Sequence, residues 1–147
     1  MSIPVLKVKR LTDTAILPKR MSEEAAGYDV CADEDCFLYP DEPHIVHTGL
    51  AFEIPKGYHM ELHVRSSLGK KGIRLANCTG IIDSDYRGEL LMYLISDMDI
   101  DGIRVINKRD RIAQIQLVKD PEFVLEEVDT LGETERGTGG FGSTGSR

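Results

Sequence analysis

A short segment near the middle of the chain, residues 80–90 (GIIDSDYRGEL), carries the residue types most suited to chemistry. Two isoleucines run straight into two carboxylates, Asp83 and Asp85, and then into the Tyr86 ring and Arg87. Apolar β-branched residues indicate a strand, and the glycines at both ends allow tight turns. The segment therefore predicts a strand that ends in acidic and aromatic side chains, although Asp-Ser-Asp is also ordinary hairpin-turn sequence.

Five segments together carry a family resemblance. Residues 80–90 resemble the third motif of the trimeric dUTP diphosphatases (dUTPases), and the other four motifs follow in order. They are AGYD at 26–29, RSSLGKKG at 65–72, RIAQIQL at 111–117 and RGTGGFGSTG at 136–145. The first and fourth are weak patterns alone, whereas the third and fifth are long and specific. The resemblance covers most of the chain.

The resemblance implies hydrolysis of dUTP to dUMP and pyrophosphate, which limits uracil incorporation into DNA and supplies dUMP for thymidylate synthesis. This reaction needs a water aimed at the α-phosphorus, a base for that water, and cations for the departing pyrophosphate. The family's water-activating aspartate falls at Asp83, which could instead only cap the hairpin turn. The family pattern also suggests that Asp85 orients the site through Arg111.

The hairpin around residues 77–91 would recognise uracil and deoxyribose. Its backbone groups and the Asn77 amide can imitate a base-pairing edge, and a tight hairpin leaves no room for a 5-methyl group. Tyr86 resembles the residue that packs beneath the deoxyribose, although a tyrosine at a strand end is more often part of the core. The expected residues are Asn77, Gly80, Ile81, Ile82, Asp83, Tyr86 and Leu91.

The second, fourth and fifth motifs would bind the phosphates, with Arg136 on the γ-phosphate and Phe141 stacked on uracil. The expected residues are Arg65, Ser66, Ser67, Gln114, Arg136, Phe141, Gly142, Ser143 and Thr144. A triphosphate also calls for a hard divalent cation, and Mg²⁺ is the default. The resemblance suggests that Asp29 contacts this ion only through water, although Asp29 could equally be a turn residue.

Length and charge limit the other functions. A chain of 147 residues fits one domain with its own core. A net charge of -7 disfavours broad contact with nucleic acid, but a few converging arginines can still bind one nucleotide. We expect dUTP as a small-molecule substrate, a homotrimer with shared active sites as the family has, and no nucleic-acid partner.

The cysteines and the apolar runs bear on location. Cys31, Cys36 and Cys78 are odd in number and form no Cys-x-x-Cys pair, which favours reduced thiols over a disulfide framework or a zinc site. No apolar run approaches the roughly 20 residues that cross a bilayer, so we expect no membrane association. Lys7, Lys9 and Arg10 interrupt the first apolar residues, so no secretory signal forms. We therefore expect a cytoplasmic protein.

Short β-like runs divided by glycine, proline and aspartate predict an all-β fold, which the resemblance narrows to a jelly-roll-like β-barrel. The runs are VLKVKRL, HIVHTGLAFEIP, YHMELHVR, GIRLANCTGIID, GELLMYLIS, RVINK, RIAQIQLVKD and EFVLEEV. GELLMYLIS is apolar on both faces except at Tyr93, which suggests a buried strand. SEEAAG and SSLGKK are two possible helical turns. We expect a barrel domain at 1–131 and a flexible glycine-rich arm at 132–147 that closes over the active site.

Two alternatives to a dUTPase stay open. The first is a dCTP deaminase, a sibling enzyme with a similar barrel that places a glutamate on the returning strand. When the aspartate and glycine that this chain shares with the deaminases around the Asp83 turn are aligned, Tyr93 takes the position of that glutamate. A phenol with a pKa of about 10 is a poor proton shuttle. The second is a nucleotide-binding regulatory protein that engages other proteins. A regulator alone would not need Asp83.

Overall fold

The computed structural model describes residues 3–97, 102–142 and 145. It contains ten strands and one short helix. The strands are β1 (Lys7–Arg10), β2 (Tyr28–Cys31), β3 (Cys36–Leu38), β4 (His44–Glu53), β5 (Tyr58–Val64), β6 (Ile73–Leu75), β7 (Gly80–Ile82), β8 (Glu89–Ser96), β9 (Arg104–Ile106) and β10 (Arg111–Lys119). The helix, α1, spans Ser66–Gly69 between β5 and β6.

All strand pairs within the sheets are antiparallel. One four-stranded sheet has the order β1-β4-β8-β6, a second has the order β2-β10-β5-β7, and β3 pairs with β9. The two larger sheets share one hydrophobic core and do not close into a continuous barrel. The predicted all-β, jelly-roll-like architecture is therefore confirmed, as two facing sheets.

The core follows from alternation along the strands, because successive side chains point to opposite faces. On β5, Met60 and Leu62 are buried while the histidines and the glutamate between them face outward. On β8, Leu90, Met92 and Leu94 are buried in the same way. Truncating such a fully buried side chain to alanine typically costs about 2–5 kcal/mol. The two sheets are thus held together by side chains that the sequence pattern identifies.

Several predicted elements differ from the structure. SEEAAG forms a turn, with the Ala25 N–H bonded to the Ser22 carbonyl at 3.2 Å, and not a helix. GIRLANCTGIID divides into β6 and β7 around a turn. The second face of β8 is only partly buried, because Leu91 and Tyr93 are 39% and 45% exposed while Ile95 on the same face is buried. The sequence patterns also missed β2 and β3, which have only four and three residues.

The largest difference lies after β10. Residues 120–142 contain no strand, although EFVLEEV predicts one. Phe123, Val124 and Leu125 are 76%, 90% and 92% exposed, and no strand among the described residues pairs with this segment. Residues 120–131 thus lie outside the sheets and precede the predicted arm, which begins at residue 132.

The cysteines agree with the expected reduced thiols. All three are free; Cys31 and Cys36 are buried and Cys78 is exposed. Burial raises the pKa of Cys36 to about 11, which keeps this thiol protonated and unreactive at neutral pH. Among the described residues, no helix is both long and apolar enough to cross a membrane.

Candidate functional site

The hairpin between β7 and β8 is shaped by contacts of its own residues. The Tyr86 N–H donates to the Asp83 carbonyl at 3.1 Å, and the Tyr86 hydroxyl donates to the Glu89 carbonyl at 2.9 Å. Arg87 donates to the Ser84 carbonyl at 2.7 Å. A Cβ at position 88 would collide with the Tyr86 hydroxyl, so this turn requires Gly88. The Tyr86 ring is therefore fixed against the backbone of the turn that carries Asp83.

A cavity of about 230 Å³ opens beside this hairpin. It is smaller than the roughly 300–1,000 Å³ typical of pockets for drug-sized ligands, so it suits one part of a nucleotide and not the whole molecule. The residues predicted to read the base and the sugar all line it, namely Asn77, Gly80, Ile81, Ile82, Asp83, Tyr86 and Leu91. Leu62, Leu75, Glu89, Leu90 and Tyr93 complete the lining.

The cationic residues of the second and fourth motifs meet at a different place. Arg65 Nε and Arg111 Nη1 each lie 3.3 Å from Asp29 Oδ2. The Asp29 side chain is only 14% exposed, and Arg65 also donates to the Arg111 carbonyl at 3.3 Å. The register of β2, β10 and β5 creates this cluster, because Asp29 lies opposite Gln114 and Gln114 lies opposite His63. One carboxylate thus holds two guanidinium groups together.

The orientation of the site by Asp85 through Arg111 stays a prediction. In the described part of the chain, the ion pair of Arg111 is with Asp29. Asp85 lies on the exposed β7–β8 turn. The glycine of the AGYD motif also has a structural reason, since a Cβ at Gly27 would approach the Ile115 carbonyl oxygen to 2.7 Å.

The remaining predicted residues are spread over the surface. Ser66 and Ser67 are exposed at the start of α1. Arg136, Phe141 and Gly142 lie on the segment after β10 and line neither the Asp83 cavity nor the arginine cluster. Ser143 and Thr144 lie outside the described residues. Among the described residues, a single chain therefore assembles the predicted base and sugar residues but does not assemble the phosphate residues around Asp83.

The chain is similar to known proteins in both sequence and structure. The dUTPase family model matches residues 13–145. A deoxyuridine 5'-triphosphate nucleotidohydrolase from Nautilia profundicola is 44% identical over 141 residues, which is 95% of this chain and 98% of the relative. One from Syntrophotalea carbinolica is 45% identical over 143 residues, 95% of this chain and 96% of the relative. The chain belongs to the dUTPase family.

Solved dUTPases share the fold. The dUTPase of Staphylococcus bacteriophage 80alpha with dUPNHPP superposes with a TM-score of 0.88 at 31% identity, over 96% of this chain and 98% of that chain. A mutant dUTPase from phage phi11 of S. aureus, described with a structural Mg(II) ion, gives a TM-score of 0.77 at 28% identity. It covers 88% of this chain and 99% of its own.

The carboxylates of this dUTPase fit a magnesium ion whose ligands come mainly from substrate phosphates and water. Among residues 3–97, 102–142 and 145, no group of three or more histidine, cysteine, aspartate or glutamate side chains could hold a metal ion. Both guanidinium contacts of Asp29 use Oδ2. Mg²⁺ usually keeps several waters and takes only one or two carboxylates beside substrate phosphates. The contact of Asp29 with such an ion through water stays a prediction.

Sequence reasoning missed several residues at both places. Tyr93 and Glu89 line the Asp83 cavity, and Tyr93 stands on the outward face of β8, where its alternation with Met92 could have placed it. Lys70 and Lys71 lie beside Arg65 and Arg111 and belong to the second motif itself. Arg104 lies there too, but β9 is remote in sequence and no local pattern connects it to α1.

Proposed function

We propose that this dUTPase hydrolyses dUTP to dUMP and pyrophosphate, with Asp83 as the base for the attacking water. The observation that carries the proposal is the cavity beside Asp83, which gathers all seven residues expected to read base and sugar. Asp83 is exposed and open to water. Its carboxylate accepts a proton as the water oxygen bonds to the α-phosphorus and the bond to the bridging oxygen breaks. Pyrophosphate then leaves, and dUMP remains in the cavity.

Base selection follows from the shape of the cavity. The Asn77 side chain offers one acceptor and two donors, and backbone groups from Gly80 to Ile82 complete an edge that pairs with uracil. Gly80 lies on β7 directly opposite Leu62, which closes the wall behind the base. A thymine methyl group would have to displace this wall. The Tyr86 ring, fixed by its bond to the Glu89 carbonyl, packs beneath deoxyribose and meets a ribose 2′-hydroxyl.

Phosphate binding requires a second copy of the chain. The pairing of Ile82 with Met60 sets Asp83 level with His59, whereas Arg65 lies six residues further along the chain, directly after β5. At about 3.3 Å per residue this separation is roughly 20 Å, more than one triphosphate spans. The Asp83 cavity of one chain is therefore completed by phosphate-binding residues of another chain, namely Arg65, Ser66, Ser67 and Gln114. We propose the homotrimer with shared active sites on this ground.

The segment after β10 supplies the last contacts. Residues 1–131 form the body, and 132–147 form an arm that carries Arg136 to the γ-phosphate and Phe141 to the uracil face. Phe141 is fully exposed, so its ring is not packed in the core of its own chain. Ser143 and Thr144 follow in the sequence and are proposed to donate backbone amides to the phosphates.

Magnesium and location complete the proposal. Bound Mg²⁺ would neutralise charge on the phosphate oxygens. Asp29 would contact its waters while holding Arg65 and Arg111 in place. Asp85 and Arg111 are proposed to orient the site across the subunit boundary. The protein acts in the cytoplasm on free dUTP, which limits uracil incorporation into DNA and supplies dUMP for thymidylate synthesis.

One assay tests this function against its alternatives. Purified protein with Mg²⁺ is given dUTP, dCTP, dTTP or UTP, and both pyrophosphate and ammonia are measured. We expect pyrophosphate from dUTP, much less from the other three, and no ammonia from dCTP. Ammonia from dCTP would identify a deaminase. Binding of dUTP without turnover would favour a regulatory protein.

A further inference from the structure

The side of the molecule that carries α1 contains an open groove of about 770 Å³. Five cationic side chains line it and come from three separate segments, namely Arg65, Lys70, Lys71, Arg104 and Arg111. We call this set, together with Ser67, the cationic groove. It lies between α1, the β9 strand and the start of β10. Such a concentration of positive charge is unexpected in a chain with a net charge of -7.

Among the residues that the structure describes, the positive charge of the groove is only partly neutralised. Asp110 is the one carboxylate among the described lining residues, and its Oδ2 accepts the Asn107 N–H at 2.9 Å. Asp29 offsets one of the two charges that Arg65 and Arg111 carry. Lys70 and Lys71 are exposed beside them. The groove therefore keeps an excess of positive charge in contact with solvent.

The groove is continuous with the residues proposed to bind phosphate. Arg65, Ser67 and Arg111 line it, whereas Lys70, Lys71 and Arg104 extend it beyond them. Arg104 Nε donates to the Lys71 carbonyl at 3.3 Å, which ties β9 to the segment after α1. A cleft lined by one sign of charge concentrates oppositely charged ligands and raises their association rates by about 10–10³-fold.

We propose that Lys70, Lys71 and Arg104 form a binding subsite for condensed phosphate, which captures the polyphosphate chain before it reaches Arg65 and Arg111. The identification of its natural ligand as the nucleotide rests on the proposed function. The binding of condensed phosphate itself does not. The same chemistry could be presented by the incoming triphosphate or by the departing pyrophosphate.

The test uses the full-length protein with Lys70→Gln, Lys71→Gln and Arg104→Gln combined. The control is Lys9→Gln, Lys56→Gln and Lys119→Gln, three exposed lysines whose loss changes the net charge equally. Lys119 is at the opposite end of β10 from Arg111, about 26 Å away at 3.3 Å per residue. A second variant with only the two lysines replaced covers the case in which Arg104→Gln disturbs the fold.

Calorimetric titration with inorganic triphosphate and with pyrophosphate measures the subsite without any turnover. We expect about tenfold weaker binding in the groove variants and less than twofold change in the control. Weaker binding of both ligands would show that the subsite takes substrate and product. Weaker binding of triphosphate alone would show that it takes only the incoming triphosphate. Unchanged binding of both ligands would overturn the proposal, whether or not the protein hydrolyses dUTP.

Kinetics with dUTP give the second measurement. We expect kcat/KM of the groove variants to fall about tenfold at an ionic strength of about 0.01 M, where the Debye length is about 30 Å. The difference should shrink to less than twofold at about 1 M, where it is about 3 Å. An equal fall at both ionic strengths, or loss of the trimer in light scattering, would contradict capture and indicate an interface between copies.

Discussion

The two ends of β5 are built in different ways. Near His59, the β7–β8 hairpin forms a shaped cavity whose main residues are close in sequence and fixed by backbone contacts. Near Arg65, three strands bring together one carboxylate and two guanidinium groups, and the residues that would complete the site lie on a distant exposed segment. Within one chain the cavity gathers the hairpin residues expected to read base and sugar, whereas we propose that Phe141 and the phosphate contacts come from other copies of the chain. We therefore expect mutations to separate phosphate binding from the recognition of base and sugar.

The strongest way to test the first end is Asp83→Asn. We expect pyrophosphate release from dUTP to fall by about 10²–10⁴-fold, because the variant lacks the base for the attacking water. Binding of the non-hydrolysable analogue dUpNHpp should stay within a few-fold of wild type, since the cavity walls are unchanged. Asp85→Asn on the same turn is the matched control, and its rate of pyrophosphate release should fall much less. Turnover by Asp83→Asn within a few-fold of wild type would place the base elsewhere.

Two truncations separate the functions of the segment after β10. Removal of residues 136–147 should leave a trimer with an unchanged melting temperature and almost no activity, because Arg136 and Phe141 are lost while the core is untouched. Removal of 121–147 also deletes Phe123, Val124 and Leu125, which are largely exposed in the single chain. We expect this second truncation to dissociate the trimer in light scattering.

A trimer that survives the longer truncation would show that these apolar residues are not buried between subunits. Retained activity in the shorter truncation would show that the arm does not close over the substrate.

The same contrast explains how far the sequence could predict the molecule. The hairpin cavity was predictable because residues 77–91 are contiguous and their turn residues have direct structural meaning. The pairing of Asp29 with Arg111 was not predictable, because it depends on the register of β2 against β10. The two residues are 82 positions apart in the sequence. The segment EFVLEEV was predicted as a strand, but the structure has no strand there. Its composition favours a strand, but composition does not reveal whether a neighbouring strand exists.

Asp29→Asn tests the phosphate end directly. The amide keeps the shape of the side chain but loses the charge that holds Arg65 and Arg111 at 3.3 Å. Hydrogen bonds to charged groups contribute about 1.5–3 kcal/mol, so we expect KM for dUTP to rise by about tenfold or more. Glu53→Gln is a control, because its partner Lys7 is on β1, and its KM should be unchanged. If KM is equal in both variants, Asp29 does not position the two arginines for binding.

The smallest expected effect concerns stability at the His59 end. His59 Nδ1 is 2.5 Å from Asp120 Oδ1, and Glu61 lies between His59 and His63, at 3.4 Å from His59 Nε2 and 2.8 Å from His63 Nε2. The hydrogen bond to Asp120, with a smaller contribution from Glu61, raises the pKa of His59 above its ordinary 6.5. A raised pKa means that the folded state binds the proton more tightly than the unfolded state. This stabilisation is complete below pH 6.5 and is lost as the pH rises through the pKa of the folded state.

Asp120→Asn should remove most of this pH dependence. Exposed ion pairs contribute about 0.2–1 kcal/mol, so we expect the melting temperature of the variant to be lower by about 1–4 °C at pH 6. The difference should narrow above the raised pKa, where wild-type His59 is neutral too. His47, whose pKa is raised by its hydrogen bond to Glu89, titrates equally in both proteins and cancels in the comparison. A difference that stays constant from pH 6 to alkaline pH would assign the contact of Asp120 to packing and not to charge.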